Sequence, residues 1–270
     1  NGPYKGTSLT DLIDQFPEVL LGKSVFKRFG KEFPILIKFI DAQKDLSIQV
    51  HPNDELAKKR HNSFGKTEMW YVLDSDKDAE LIIGFKESVS KKTYVESLNN
   101  NALTELLNFE NVSEGDAYFI SAGKIHAIGA GVLIAEIQQT SDQTYRVYDY
   151  NRKDAQGNLR ELHTELAIDA IDYEKQDDFR VSYEKKMNIA NPMVHCPYFK
   201  TSFINLDKNI RFDVSDRDSF TIYMCIEGDD LVENNFGSVL IEKGQTVLVP
   251  AISSYILLNS EGAALLEITV

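Results

Sequence analysis

Cysteine, histidine and tryptophan are all scarce in this sequence, and so is positive charge; each shortage removes a class of protein from consideration. Two cysteines, Cys196 and Cys225, form no Cys-x-x-Cys pair and are too few for a disulfide framework. A reducing, cytoplasmic compartment is the expectation. No apolar run approaches the roughly 18 residues of a spanning helix, and no signal peptide is visible, so no membrane partner is expected. Lys and Arg number 29 against 42 Asp and Glu, a net charge of −13. With no basic run to neutralise phosphates, nucleic acid is not an expected partner either. No methionine opens the chain, and further N-terminal sequence is expected.

What is present is β-strand pattern. The 270 residues suffice for one large or two medium domains. "FPILIKFIDA", "LSIQVHP", "TEMWYVLD", "AELIIGF", "DAYFISA", "GVLIAEIQQ" and "TYRVYDY" are short, β-branched and aromatic-rich, with turn residues between them. Helical spacing is confined to residues 8–21, to 90–112 as one or two helices, and to 161–172. Many short strands with few helices predict a mainly β fold, a barrel or jelly roll. An internal repeat strengthens this. Residues 114–137 and 243–268 share the order charged residue, Gly, strand, turn, strand, Gly turn, strand, Glu-Ile. Residues 68–76 likewise resemble 220–230, which sets Tyr71 beside Tyr223, Glu68 opposite Phe220 and, further on, His126 opposite Tyr255. Two barrel units are therefore expected, within domains 1–186 and 187–270. The polar stretch 177–186 reads as the linker, and the second barrel is expected to be metal-free.

The placement of the few histidines points to chemistry. In "SIQVHP", Gln49 and His51 alternate along a strand and point to one face, about 6.6 Å apart. Glu68 and His126 also lie on or beside predicted strands, and strands distant in sequence can line one barrel interior. Zinc accepts imidazole nitrogen and carboxylate oxygen, and a glutamine carbonyl suits a divalent ion tolerant of mixed donors. Two His, one Glu, one Gln and a divalent ion would carry a net charge of +1, attractive to an anion. A polar strand end for Gln49 and His51, and a turn histidine for His126, are the structural alternatives that spacing leaves open.

"LSIQVHPND", "GKTEMWYVL", "EGDAYFISAGKIHAIGAGVLIAEIQQTSDQTYRVYDYNR" and "RELHTELAIDAID" resemble type I mannose-6-phosphate isomerases, in particular the short bacterial form of this cupin-superfamily enzyme. The resemblance is close over residues 7–172 and looser beyond. It implies two cupin-type jelly-roll barrels with a small helical part, and a zinc-dependent interconversion of mannose 6-phosphate and fructose 6-phosphate through a cis-enediol. It places one Zn²⁺ on Gln49, His51, Glu68 and His126, Arg146 and Glu136 in the active site, and Ser47 against the phosphosugar substrate. Lys66, two residues before Glu68, shares its strand face; Lys66, then Glu136, then a zinc-bound water rank as candidate bases. Lys124, Arg152 and Arg160 are candidate phosphate partners, whereas His61, His163 and His195 read as ordinary. Family members also open with further strands and a Trp-Gly-Gly segment that this sequence does not contain. A monomer or weak homodimer is expected. A cupin oxygenase and a non-catalytic sugar-binding cupin are the competing readings.

Overall fold

A computed structural model describes residues 3–153, 156–176, 180–260 and 262–270. The chain forms two compact units, Ile35–Val181 on the one hand and Asn1–Pro34 with Ser182–Val270 on the other. Among the described residues no helix is long and apolar enough to cross a membrane.

In the Ile35–Val181 unit, two antiparallel sheets enclose one core. The first orders β1 (Ile35–Ala42), β8 (Val132–Gln139), β3 (Glu68–Ser75) and β6 (Ala117–Ile120). The second orders β5 (Leu107–Asn111), β4 (Glu80–Phe85), β7 (His126–Ile128), β2 (Ile48–Val50) and β9 (Tyr145–Tyr148). Trp70, Val72, Tyr118 and Ile134 from the first pack against Leu81, Ile83 and Ile128 from the second. This mainly β architecture is the one expected from the strand pattern. The second sheet is buried on both faces. Its outer side chains, Ile48, Val50, Ile82 and Val147, lie under α5 (Lys91–Asn99) and α6 (Thr164–Ile168) through Tyr94 and Ala167. Because Ile48 and Val50 face the helices, Gln49 between them faces the barrel interior.

Two local readings are corrected here. Helical spacing was expected through residue 112, but only α5 and a turn of 3₁₀ helix at Leu103–Glu105 form before β5. Asn101, with φ 56°, breaks the helix, and the chain then pairs with the free edge of β4. The helix α4 (Asp54–His61), capped by Asn53 accepting the Leu56 N–H, had no expected counterpart. It buries only Ala57, so it carries no apolar stripe to read.

The other unit repeats the plan. Its sheets order β10 (Ala190–His195), β11 (Lys200–Leu206), β18 (Ala263–Thr269), β13 (Thr221–Glu227) and β16 (Thr246–Val249), and β12 (Ile210–Asp213), β17 (Tyr255–Asn259), β14 (Asp229–Asn234) and β15 (Gly237–Glu242). The N-terminal residues, expected to join the first barrel, belong here instead. The 8–21 helix is split into α1 (Leu9–Gln15) and α2 (Pro17–Leu21), because Pro17 starts a helix and cannot continue one. The unexpected α3 (Lys23–Phe29) follows, and Asp218 accepts the Lys23 and Ser24 N–H groups at 2.6 and 2.8 Å. Val19 and Leu20 carbonyls accept Ile252 and Ala251 N–H, and Phe33 stacks on Phe220 at 4.8 Å. Part of the expected linker, 177–179, lies outside the described residues.

Strand register corrects the internal alignment by one residue. Trp70 pairs with Glu136 and Tyr118, as Tyr223 pairs with Glu267 and Val247. The register shift between Val72 and Asp74 recurs between Cys225 and Glu227. Tyr223 is thus the counterpart of Trp70, not of Tyr71, and Thr221 that of Glu68. On β17 Ile256 is the first residue paired on both sides and is buried in that core, as His126 is the first residue of β7 paired on both sides, which sets Ile256 rather than Tyr255 against His126. A slip of one residue exchanges inside for outside. The second interior also keeps polar groups: Glu267 Oε1 accepts from Tyr223 Oη at 2.9 Å and Arg217 Nη1 at 3.0 Å.

Asp230 generates a stability prediction. It is fully buried, with one carboxyl oxygen accepting the Asn259 N–H at 3.3 Å and the other without a partner among the described residues. Burial pushes its carboxyl up to about 6, the Asn259 N–H opposing and Asp229 adding. The unfolded chain ionises near pH 4, so between roughly pH 4 and 6 it releases a proton that the folded chain retains, and stability falls as pH rises through that window. Asp230→Asn should remove this loss and raise stability at pH 7 by on the order of 1–2 kcal/mol. Urea unfolding of both proteins at pH 5 and pH 7 checks it; an Asn variant that is no more stable at pH 7 contradicts it.

Candidate metal centre and active site

Two rows of side chains meet inside the Ile35–Val181 barrel. Across the second sheet, His126, Gln49 and Arg146 are successive cross-strand partners on β7, β2 and β9. Across the first, Lys38, Glu136 and Trp70 are partners on β1, β8 and β3. Glu68, two residues before Trp70, shares its face. His51 follows β2, and its carbonyl accepts the Gly123 N–H at 2.9 Å, which ties it to the turn before β7. His51, Glu68 and His126 are 1%, 0% and 1% exposed, and their ligand atoms lie within 4.8 Å of one another.

Proton positions in this cluster follow from its partners. His51 Nδ1 meets the Gln143 carbonyl at 2.9 Å and His126 Nδ1 meets the Lys124 carbonyl at 2.8 Å. A carbonyl only accepts, so both Nδ1 atoms carry hydrogen. Burial lowers the His51 pKa and takes that of His126 down to about 3, so both rings are neutral and present Nε2 lone pairs. Burial opposes ionisation of Glu68, but the Lys66 ammonium, 3.2 Å from Oε1, favours the carboxylate. His51 Nε2 and Glu68 Oε1 then face each other as lone pairs at 3.2 Å; among the described residues nothing hydrogen-bonds to His51 Nε2, and Oε1 has the Lys66 ammonium at 3.2 Å as an ion pair. Such an arrangement is costly when dry. A cation between them satisfies both.

The amide of Gln49 lies beside the cluster, with Nε2 3.2 Å from His126 Nε2. In this orientation it donates to the ring; a half-turn of the amide exchanges nitrogen for oxygen and offers a fourth ligand. Two nitrogens and two oxygens fit a zinc-like divalent ion.

Around the cluster stand the other expected residues. Lys66 is buried, with Nζ on Glu68. Glu136 Oε2 accepts from Lys38 Nζ at 2.5 Å, and Trp70 Nε1 donates to both Glu68 Oε2 and Glu136 Oε1 at 3.2 Å. Burial, reinforced by the Glu68 charge and opposed by Lys38, raises the Glu136 pKa. Arg146 donates through Nε to Ser47 Oγ at 3.4 Å and through Nη1 to the Glu161 carbonyl at 2.8 Å. Arg152 and Arg160 converge on Asp149 Oδ1. Lys124 is buried, which takes its pKa down to about 8 with Asp172 opposing, and its Nζ donates to the Phe119 carbonyl at 3.4 Å. His61 pairs with Tyr145 Oη at 2.7 Å, and the exposed His195 lies on β10 in the other unit. Two residues at the site were not expected from sequence: Lys38, a lone charge within the apolar "ILIKFI", and Trp70, whose N–H bridges both carboxylates.

Comparison with known proteins decides the family. The model of the type I phosphomannose isomerase catalytic domain matches residues 1–94. The chain is 36% identical over 253 residues to mannose-6-phosphate isomerase ManA of Bacillus subtilis, covering 93% of this chain and 78% of that protein. The chain belongs to the type I phosphomannose isomerase family. A mannose-6-phosphate isomerase of Streptococcus mutans is 32% identical, over 93% of this chain and 77% of its own. The crystal structure of the Bacillus subtilis mannose-6-phosphate isomerase superposes with a TM-score of 0.87 at 33% identity, covering 100% of this chain and 84% of that one. The fold of this phosphomannose isomerase family member is therefore of the cupin type.

Removing the imidazoles tests the centre. His51→Ala and His126→Ala should each abolish tight divalent-metal binding, while Gln49→Ala should weaken it less, since water can replace a neutral oxygen. Metal content after dialysis against a weak chelator measures this. Stoichiometric metal in the His51→Ala/His126→Ala double variant contradicts the assignment.

Proposed function

We propose that this chain interconverts mannose 6-phosphate and fructose 6-phosphate, moving a proton between C1 and C2 through a cis-enediol, with one zinc ion held by Gln49, His51, Glu68 and His126. The observation that carries this reading is the buried His51–Glu68–His126 cluster, in which His51 Nε2 and Glu68 Oε1 face each other at 3.2 Å, in a chain similar to proteins named mannose-6-phosphate isomerase. Zinc is favoured because the donors mix nitrogen and oxygen, whereas magnesium and calcium prefer oxygen alone. When bound, the ion supplies Lewis-acid polarisation at the sugar carbonyl.

The chain's own groups do the rest. Lys66, 3.2 Å from Glu68, and Glu136, which shares the Trp70 N–H with Glu68, are the proposed proton-transfer pair. Lys38 holds one Glu136 oxygen and Trp70 the other, so the carboxyl is fixed in orientation. A carboxyl whose pKa burial raises is a stronger base than an exposed carboxylate and better suited to exchanging a carbon-bound proton. Ser47 and the Glu161 carbonyl anchor Arg146, whose permanent charge is proposed to stabilise the developing enediolate. Arg160 and Arg152 lie near enough to depress the Arg146 pKa, after burial itself. This basic rim is proposed to face the phosphate, through Arg152 and Arg160. The chain is proposed to act as a monomer or weak homodimer in the cytoplasm. The other barrel is proposed to be metal-free, since Thr221 and Ile256 stand at its positions matching Glu68 and His126.

A coupled assay with mannose 6-phosphate tests the activity; turnover of unphosphorylated mannose with no turnover of the phosphosugar would overturn it. Arg146→Lys tests the mechanism. It keeps the charge but loses the planar fork, and kcat should fall by roughly 10²–10³-fold, as when one oxyanion-stabilising group is lost. KM should change much less, because an interaction confined to the transition state lowers kcat and kcat/KM together. Zinc content and melting temperature should match wild type. Unchanged kcat with a sharply raised KM would make Arg146 a substrate clamp instead.

A further inference from the structure

β9 lies at the edge of its sheet, so one side of its backbone needs partners from outside the sheet. At Arg146 those partners come from a single residue. The Arg146 N–H donates to His163 Nδ1 at 3.2 Å, and the His163 N–H donates to the Arg146 carbonyl at 2.7 Å. Two residues earlier, the Glu161 carbonyl accepts from Arg146 Nη1. The segment 161–163 therefore grips both the main chain and the guanidinium of Arg146. Since the Arg146 N–H and C=O both point to His163, the Gln49–Arg146 pair is a non-hydrogen-bonded one, in which facing side chains approach most closely.

His163 is built for this contact. It is the N-cap residue of α6, yet its side chain makes no cap hydrogen bond to that helix. Its backbone serves the helix instead, the carbonyl accepting the Ala167 N–H at 2.9 Å. The imidazole lies against the ring of Tyr145, centroids 6.5 Å apart, and Tyr145 Oη is in turn held by His61 at 2.7 Å. Accepting an N–H at Nδ1 requires the neutral ring with its proton on Nε2. His61, Tyr145, Arg146, Glu161, His163 and Ala167 all belong to the Ile35–Val181 unit.

We propose that His163 is the positioning residue for Arg146, its Nδ1 closing the free edge of β9 and thereby setting the guanidinium beside Gln49. The proposal rests on the reading of Arg146 as an enediolate-stabilising group. A displacement of about 1 Å at a reacting centre can cost on the order of 10²-fold in rate, so a side chain that touches no substrate can still govern turnover.

The test is a mutant cycle in the zinc-loaded full chain, read by steady-state kinetics with mannose 6-phosphate. His163→Ala removes the acceptor, and kcat should fall roughly 10–100-fold with a smaller change in KM. His163→Asn restores an acceptor oxygen the same number of bonds from the backbone as Nδ1, and should recover most of kcat. In an Arg146→Lys background, His163→Ala should cost little further, because the group it positions is already gone. A simple folding defect would persist in both backgrounds and would appear in melting temperature, so an equal kcat loss in both overturns the proposal. Wild-type kcat for both His163 variants beside an impaired Arg146→Lys also overturns it while leaving the reading of Arg146 intact. Wild-type kcat for Arg146→Lys itself removes the reading and the proposal together.

Discussion

An ionised carboxylate with no access to water governs this structure. Glu68 is buried in a barrel interior where two neutral imidazoles turn lone pairs toward it. The arrangement sets lone pair against lone pair across 3.2 Å between His51 Nε2 and Glu68 Oε1, with the Lys66 ammonium at the same distance from that oxygen. A divalent cation held by these three side chains would turn the facing lone pairs into attractive contacts. The backbone carbonyls of Gln143 and Lys124 matter because they fix each ring's proton on the far nitrogen, the arrangement that readies histidine to bind metal.

The rest of the pocket follows from the pleat and from register. Gln49 faces inward because its neighbours Ile48 and Val50 are needed outside to seat the helices. Cross-strand pairing then sets Arg146 beside Gln49 and Glu136 beside Trp70. Trp70 and Lys38 between them hold both oxygens of Glu136 and restrain Glu68, so the second buried carboxylate has fixed partners. In the other unit the same positions carry Tyr223 and Glu267, joined by an equivalent hydrogen bond, but the ligand positions have become Thr221 and Ile256. The scaffold of the polar row has persisted where the metal donors have not.

Much of the site was legible because alternation along a strand is a local property. Gln49 and His51 could be placed on one face from six residues, and Lys66 beside Glu68 in the same way. What could not be read is which strands lie side by side. Lys38 gains its meaning from Glu136, 98 residues away, and His163 from an edge that only topology leaves open. The repeat was visible, yet its alignment slipped by one residue because apolar residues fill both faces of β3 and β13, leaving the period of two without contrast. Helix α4 was missed for the opposite reason, having almost nothing apolar to show. The N-terminal helices were assigned to the wrong unit because their partners, Asp218 and Phe220, lie some 195 residues away, beyond any local pattern.

The direct measurement is a metal titration of activity. Protein stripped with a strong chelator and assayed with mannose 6-phosphate should be inactive, and zinc should restore turnover linearly up to one equivalent per chain, with no further gain beyond it. Full activity in metal-free protein, or restoration that needs a second equivalent, would contradict a single ion on Glu68 and its two histidines as the centre of the chemistry.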